Sequence, residues 1–296
     1  MKPDIWINGQ FVPWDKACIH PLSHSMQRGT ALFESIDCNE AENGSAAIFR
    51  LRDHMLRFEN SSRITGIPLG YDIESLIKAA ADTVAHSGLK NCTIRPLAFY
   101  AEPVMEVYPG DIPTTLVIGL AESHPVPETY RVKISRFRKI DSASMPVKAK
   151  VSANYIGPMI AKTEAVKAGF DDTIILDSEG YVAEGATSNI FIVEQGRLIT
   201  APDDAILPGI TRDTIAVIAT NLNIETIYEK FSPERLKNAD EVILCSSGNE
   251  VTPVVHVDNA FIADGIPGPI TKKLRAYYAD VIKGLVPELE HWLTYV

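Results

Sequence analysis

Cysteine is scarce and scattered in this 296-residue chain. Cys18, Cys38, Cys92 and Cys245 form no CxxC pair, and no histidine clusters with them. That excludes a zinc framework and a disulfide scaffold, and free thiols in a reducing compartment are expected. Runs of Lys and Arg are also missing. The formal net charge is −10, from 28 basic and 38 acidic side chains. A nucleic-acid footprint is therefore not expected, although an acidic total still permits a local anion site. No stretch approaches the roughly 18 apolar residues of a spanning helix. The start, "MKPDIWINGQ", has no apolar core of a signal peptide. Repeats and low-complexity tracts are absent. The expectation is a soluble cytoplasmic protein with no metal, no nucleic acid and no membrane partner.

What is there is an ordinary globular composition, 46% hydrophobic and 22% charged, long enough for two domains. "IWINGQFV" sets Asn8-Gly9 between alternating arms and predicts a hairpin with a type I′ turn. "ALFESIDC" and "AAIF" read as strands. "LRDHMLRFENSSRITGI" has a helical period, with Leu51, Met55, Phe58 and Ile64 near one face. "DIESLIKAAADTVAHSGL" is a helix that Asp72 can cap and Gly88 ends. "NCTIRPLAFY" and "TTLVIGLAE" are strands. The proline-bearing "SHPVPETY" is the linker candidate. It separates a smaller amino-terminal domain, 1–122, from a larger one, 131–296, with the linker at 123–130. Beyond it, "RVKISRF" is a strand and "ANYIGPMIAKTEAVKAG" a helix closed by Gly169. A meander follows through "TIILD", "YVAEG", "NIFIV" and "RLITA". The helix "PGITRDTIAVIATNL", the strand "EVILCSS" and the helix "TKKLRAYYADVIKGL" complete the pass. The class is α+β, with mixed sheets and helices packed on them.

Four local features could carry chemistry, and each has an ordinary structural explanation when taken singly. Lys150, in "KAKVSANY", is a solvated lysine or one whose desolvated amine attacks a carbonyl. Glu184, in "EGATSNIF", is a turn glutamate or a carboxylate paired with a cationic ring nitrogen. Gly209, Ile210 and Thr211, in "LPGITRD", open a helix, whose free N–H groups suit a phosphate. "CSSGNEVTP" is a polar turn or a second anion nest around Ser247 and Gly248. Taken together, a lysine for an imine, a glutamate for a ring nitrogen and two phosphate-holding turns are the parts of a pyridoxal phosphate site. Arg57, in "HMLRF", adds a charged phosphate ligand.

With these motifs in this order, the chain resembles the class IV (fold type IV) pyridoxal-phosphate aminotransferases, and most closely the branched-chain amino acid aminotransferases. The resemblance runs from "WINGQFV" to the last helix. It implies a two-domain fold like that of D-amino acid aminotransferase, the cofactor pyridoxal 5'-phosphate, and a homodimer in which a loop of the neighbouring subunit helps cover the site. By position, Lys150 matches the lysine that bonds the cofactor, and Lys148 does not. Tyr155 matches the tyrosine on the phenolic oxygen, and Glu184 the glutamate on the pyridine nitrogen. Arg57, Ile210, Thr211 and Ser247 match phosphate ligands, and Ser188, Asn189, Gly209 and Gly248 complete the expected cofactor set. The implied reaction is ping-pong transamination between a branched-chain L-amino acid and 2-oxoglutarate.

The substrate side is uneven. Phe33 and Arg95 fit the family pattern, and Arg95 could meet a carboxylate; Ser247 and Gly248 are further substrate-side candidates, Ser247 standing where threonine is usual and keeping a hydroxyl. Arg28 stands where tyrosine is usual, Ser35 where glycine is, Asp37 where arginine is and Thr93 where tyrosine is. Arg28 either anchors a second carboxylate or turns outward, or pairs with Asp37 or Glu34. A D-amino acid transaminase, an aminodeoxychorismate lyase, an (R)-selective amine transaminase and a non-catalytic cofactor-binding protein share the fold and stay open.

Overall fold

The computed structural model describes residues 2–296. In chain order its elements begin with β1 (Ile5–Ile7), β2 (Gln10–Val12), α1 (His24–Arg28), β3 (Ala31–Phe33), β4 (Ile36–Glu40), β5 (Ala46–Phe49), α2 (Leu51–Thr65), α3 (Ile73–Ser87), β6 (Cys92–Phe99) and β7 (Thr115–Glu122). After the proline-bearing segment come β8 (Tyr130–Arg138), α4 (Ile156–Lys167), β9 (Asp172–Leu176), β10 (Val182–Gly185), β11 (Asn189–Glu194), β12 (Arg197–Thr200) and α5 (Ile210–Asn221). The chain ends with β13 (Thr226–Tyr228), α6 (Pro233–Lys237), β14 (Glu241–Ser246), β15 (Glu250–Val257), β16 (Ala260–Phe261), α7 (Pro269–Ile282) and β17 (Leu293–Tyr295).

Two compact units result. One comprises Met1–His124, Ala149–Ala153 and Val281–Val296; the other comprises Pro125–Lys148 and Asn154–Asp280. The cut near 123–130 is where the prolines lie, but two later pieces of the chain group with the amino-terminal unit. Pairing explains both. β17 lies antiparallel to β5, Leu293 opposite Phe49, and Val151 bridges Leu32.

The first unit is built on a sheet in the order β17-β5-β4-β6-β7-β1-β2, with β3 also on β6. Asn8 and Gly9 have φ of 45° and 93°, the double left-handed geometry of a type I′ turn. The expected single strand "ALFESIDC" is broken into β3 and β4. Both pair with β6, β3 opposite Leu97–Phe99 and β4 opposite Cys92–Ile94. Between them lies Pro96, which has no N–H for a ladder and accepts only through its carbonyl, from Glu34 N–H at 3.0 Å. On α2 the buried positions are Leu51, His54, Met55, Phe58 and Ser61. Ile64 is 36% exposed, because thirteen residues on from Leu51 the helix has turned it off that stripe. α3 starts as expected: the Asp72 carboxylate accepts from Ser75 N–H at 2.8 Å, and Gly88 closes it at φ 69°. Phe58, Met55, Leu76 and Ile94 meet in one core.

In the second unit the sheet order is β10-β9-β8-β15-β14-β11-β12-β13. β9–β10 and β11–β12 are hairpins, but the four do not form a meander, since β11 takes β14 as its other partner. The segment "VTPVVHV", not among the expected strands, lies in β15 with Pro253 inside it. It is central, antiparallel to β14 and parallel to β8. β8 joins it only from Val254 onward, so Pro253 lies outside that ladder.

Glu241, buried at the start of β14, caps α7 from outside the helix. It accepts from Ile270 N–H at 2.9 Å, Thr271 N–H at 2.7 Å and the Thr271 hydroxyl at 2.6 Å. These are donors of a first helical turn, which have no intrahelical partner. A Cβ on Gly268 would run into the Glu241 carboxylate. Glu241→Ala is expected to lower unfolding free energy by roughly 2 kcal/mol, and Gly268→Ala by a similar amount. Because both act on one contact, Gly268→Ala should cost little in the Glu241→Ala background. Additive losses in thermal melts would contradict this coupling.

Candidate active site

In the first unit, Lys150 lies on a short extended segment beside β3 and α2. Its carbonyl accepts from Phe33 N–H at 3.1 Å, and its N–H donates to the Ser61 hydroxyl at 3.0 Å. Lys150 is half-buried while Lys148 is exposed. The Lys150 Nζ stands 4.9 Å from the centre of the Phe33 ring, and the Arg95 guanidinium carbon 5.2 Å from the same centre. One aromatic ring thus gathers two of the predicted cations, each within cation–π range.

Arg57 is set by Glu34. Its Nε and Nη2 donate to the two carboxylate oxygens at 2.8 Å each, a bidentate fork. His54 Nδ1 lies 2.8 Å from the same carboxylate. Burial would raise the Glu34 carboxyl. The charge and hydrogen bonds of Arg57, then those of His54, outweigh it and hold the group well below the usual carboxylate range. His54 is shifted down, by burial first; Glu34 opposes the shift, and Arg57 and Lys150 add to it. An ionised carboxylate only accepts, so the neutral His54 carries its proton on Nδ1.

Arg28 ends α1 on the surface. It does not pair with Glu34: its guanidinium donates to Met105 carbonyl at 2.7 Å. α1 holds the same loop through His24 Nε2 on Val107 carbonyl, 3.1 Å, and Gln27 on Val104 carbonyl, 3.4 Å.

The second unit carries Tyr155, Glu184, Ser188, Asn189, Gly209, Ile210, Thr211, Ser247 and Gly248. Glu184 sits beside a register shift between β10 and β9, a bulge of the kind that re-aims a side chain. Its Oε1 takes an ion pair from Lys139, each side chain 12% exposed, and its Oε2 accepts from Leu207 N–H at 3.4 Å. Two acceptor positions are engaged in a group that offers about four. Leu207 leads directly into the start of α5, where the N-cap is Gly209, a residue with no side chain to cap the helix. Asn189 donates to Leu207 carbonyl at 3.1 Å, and a Cβ on Gly209 would run into Asn189. Glu184, Asn189 and the Gly209 turn are therefore one connected assembly. Ser188 is buried beside it, and its hydroxyl has no partner. Ser247 and Gly248 form a short 3-10 turn after β14, where the Ser246 hydroxyl accepts from Asn249 N–H at 3.3 Å. Tyr155 is half-buried at the head of α4.

Lys139, His54 and Ser61 were not singled out from the sequence. The signal for Lys139 and His54 was the presence of carboxylates that burial obliges to find partners. Ser61 gave no signal beyond its place on the α2 stripe. Among the described residues no cluster of His, Cys, Asp or Glu could hold a metal ion. Among the described residues no helix is long and apolar enough to cross a membrane.

Two outcomes follow from these ion pairs. Glu34 is more acidic folded than unfolded, so its stabilisation is complete above the ordinary glutamate range near 4.3 and fades as pH falls below it. His54 is less basic when folded, so acid also weakens the fold from about pH 6.5 downward. Glu34→Gln should lower stability at pH 7 by roughly 3 kcal/mol and flatten the loss of stability below pH 5 in pH-dependent melts. An unchanged acid slope would contradict the assignment. Lys139→Met should likewise cost about 3 kcal/mol, and adding Glu184→Gln should restore part of it in a double-mutant cycle.

The chain matches the family described as Amino-transferase class IV over residues 31–257. It is 34% identical over 297 residues to the branched-chain-amino-acid aminotransferase of Salmonella typhimurium, covering 98% of this chain and 96% of that one. Among solved structures, it is similar to the branched-chain aminotransferase of Thermoproteus uzoniensis with norvaline, with a TM-score of 0.96, 32% identity and coverage of 100% and 99% of the two chains. It is also similar to the branched-chain amino acid aminotransferase of Thermobaculum terrenum in its PLP-form, with a TM-score of 0.94, 30% identity and coverage of 99% and 98%. With a family match over residues 31–257 and this length and identity of relative, the chain belongs to the class IV aminotransferases.

Proposed function

We propose that the protein moves the amino group of a branched-chain L-amino acid to 2-oxoglutarate in a ping-pong cycle that uses pyridoxal 5'-phosphate. The observation that carries this reading is the gathering of Lys150 and Arg95 on the Phe33 ring, an amine beside a carboxylate anchor. The relatives named above support the substrate class.

The residues fit the cofactor's chemistry. The start of α5, with glycine as its N-cap, has the geometry that suits a phosphate, the Ser188 hydroxyl, without a partner among the described residues, is a buried polar group that a ligand would satisfy, and Glu184 keeps acceptor capacity beyond Lys139 and Leu207. Arg57, Ile210 N–H, Thr211 and Ser247 would hold the phosphate, with Ser188, Asn189, Gly209 and Gly248 shaping the cradle. Tyr155 would hold the phenolic oxygen and Glu184 the ring nitrogen. When bound, the cofactor supplies the electron sink for a carbanion at the substrate Cα. Lys150 would hold the cofactor through its amine and, once released, would serve as the general base for the substrate Cα proton. Arg95 takes the substrate carboxylate, and Phe33 supplies apolar wall. Arg28 gives one of its five donors to the Met105 carbonyl. The protein acts in the cytoplasm as a homodimer, and the loop of Met105, Val107 and Tyr108, whose side chains are exposed, suits contact with a second copy.

The test is a half-reaction on purified holoenzyme with L-leucine, L-glutamate, D-alanine and D-glutamate added separately. Absorbance should convert to the amine form of the cofactor with the two L-amino acids. Conversion with the D-amino acids alone would overturn the substrate reading. Lys150→Ala should abolish the bound-cofactor band and lower turnover by at least about 10³-fold. Activity surviving that change would overturn the site.

A further inference from the structure

The segment Ala149–Ala153 does not lie in a continuous ladder. It is attached to β3 through one isolated bridge, Leu32 to Val151, so the position of Lys150 depends on individual hydrogen bonds. Two of them close a circuit. Lys150 N–H donates to the Ser61 hydroxyl at 3.0 Å, and that hydroxyl donates to Arg57 carbonyl at 2.9 Å. The Arg57 guanidinium forks onto Glu34 at 2.8 Å. Glu34 is bonded to Phe33, whose N–H donates to Lys150 carbonyl at 3.1 Å.

A buried helical serine commonly returns its proton to the carbonyl four residues back, and that alone is ordinary. Here the bond also fixes the direction of the oxygen lone pairs, and Lys150 N–H takes one of them. Ser61 is fully buried, so no water substitutes for its hydroxyl. Its loss would leave a part-buried peptide N–H without this acceptor.

We propose that Ser61 is a positioning residue, whose hydroxyl couples the α2 turn carrying Arg57 to the Lys150 peptide and so holds amine and guanidinium at a fixed separation. This rests on the reading of Lys150 and Arg57 given above. Both faces of the coupling matter. Arg57 acts on the phosphate directly and on the amine only through its fork onto Glu34, whereas Ser61 acts on the Lys150 peptide itself, with or without a phosphate on the aldehyde.

The experiment measures binding of pyridoxal 5'-phosphate and of phosphate-free pyridoxal to the full-length protein freed of cofactor. Absorbance titration gives the affinities, and borohydride reduction with peptide mass mapping locates the label. Arg57→Ala is expected to weaken the phosphate compound more than pyridoxal, because it removes a phosphate ligand as well as the fork onto Glu34. Ser61→Ala is expected to weaken both by about tenfold, the worth of one ordinary hydrogen bond, at a melting temperature showing a folded protein. Ser61→Cys, similar in shape and poor as a hydrogen-bonding group, provides the same reading should Ser61→Ala not fold. Affinities of a folded Ser61 variant within twofold of the parent, with Lys150 labelled, would overturn this inference alone. A label on a different lysine in the parent protein would overturn the functional reading and this inference with it.

Discussion

A carboxylate enclosed by apolar residues cannot stay charged unless cations or donors meet it, and Glu34 is completely buried. Its partners set the first unit's functional geometry. Arg57 and His54 both come from α2, so the carboxylate locks the register of that helix against β3. The same turn of helix carries Ser61 to the Lys150 peptide. The break between β3 and β4 belongs to this arrangement, because Pro96 withholds a ladder donor and Glu34 leaves the strand geometry there.

Glu184 answers the same constraint in the second unit by different means. It is drawn off a regular strand at a bulge and takes a cation from Lys139 and a peptide N–H from Leu207. That peptide leads into Pro208, Gly209 and α5, so one carboxylate joins an ion pair to a helix start. Close approach of Asn189 leaves no space for a side chain at position 209, which is a packing reason for glycine there, separate from any freedom of the backbone. In each unit a charged group assigned to chemistry is also a structural joint. Substitutions at these joints therefore change stability and activity together unless a partner is changed as well.

Local signals in the chain were legible where a residue decides its own neighbourhood. Asn8-Gly9 turns the first hairpin, Asp72 and Gly88 bound α3, and the small-residue start of α5 falls where the motif placed it. Signals failed where a distant partner decides. β15 contains a proline that argues against a central strand, yet it is tolerated because the β8 ladder begins beyond it. The apparent meander dissolves because β14 inserts beside β11. Ile64 looked like core and is exposed, since the stripe on α2 runs through Ser61 and not through it.

The sequence by itself determined the class and singled out Lys150, Glu184 and two polar turns as candidates, because those readings depend on residue type and short spacing. Only the tertiary structure decided which charges neutralise one another. The pairings Glu34 with Arg57 and His54, Glu184 with Lys139, and Arg28 with a loop carbonyl are set by burial and by which strands become neighbours. Coulombic and hydrogen-bonding partners are chosen by distance in space, and pairings such as Glu184 with Lys139, 45 positions apart, leave no mark in local periodicity.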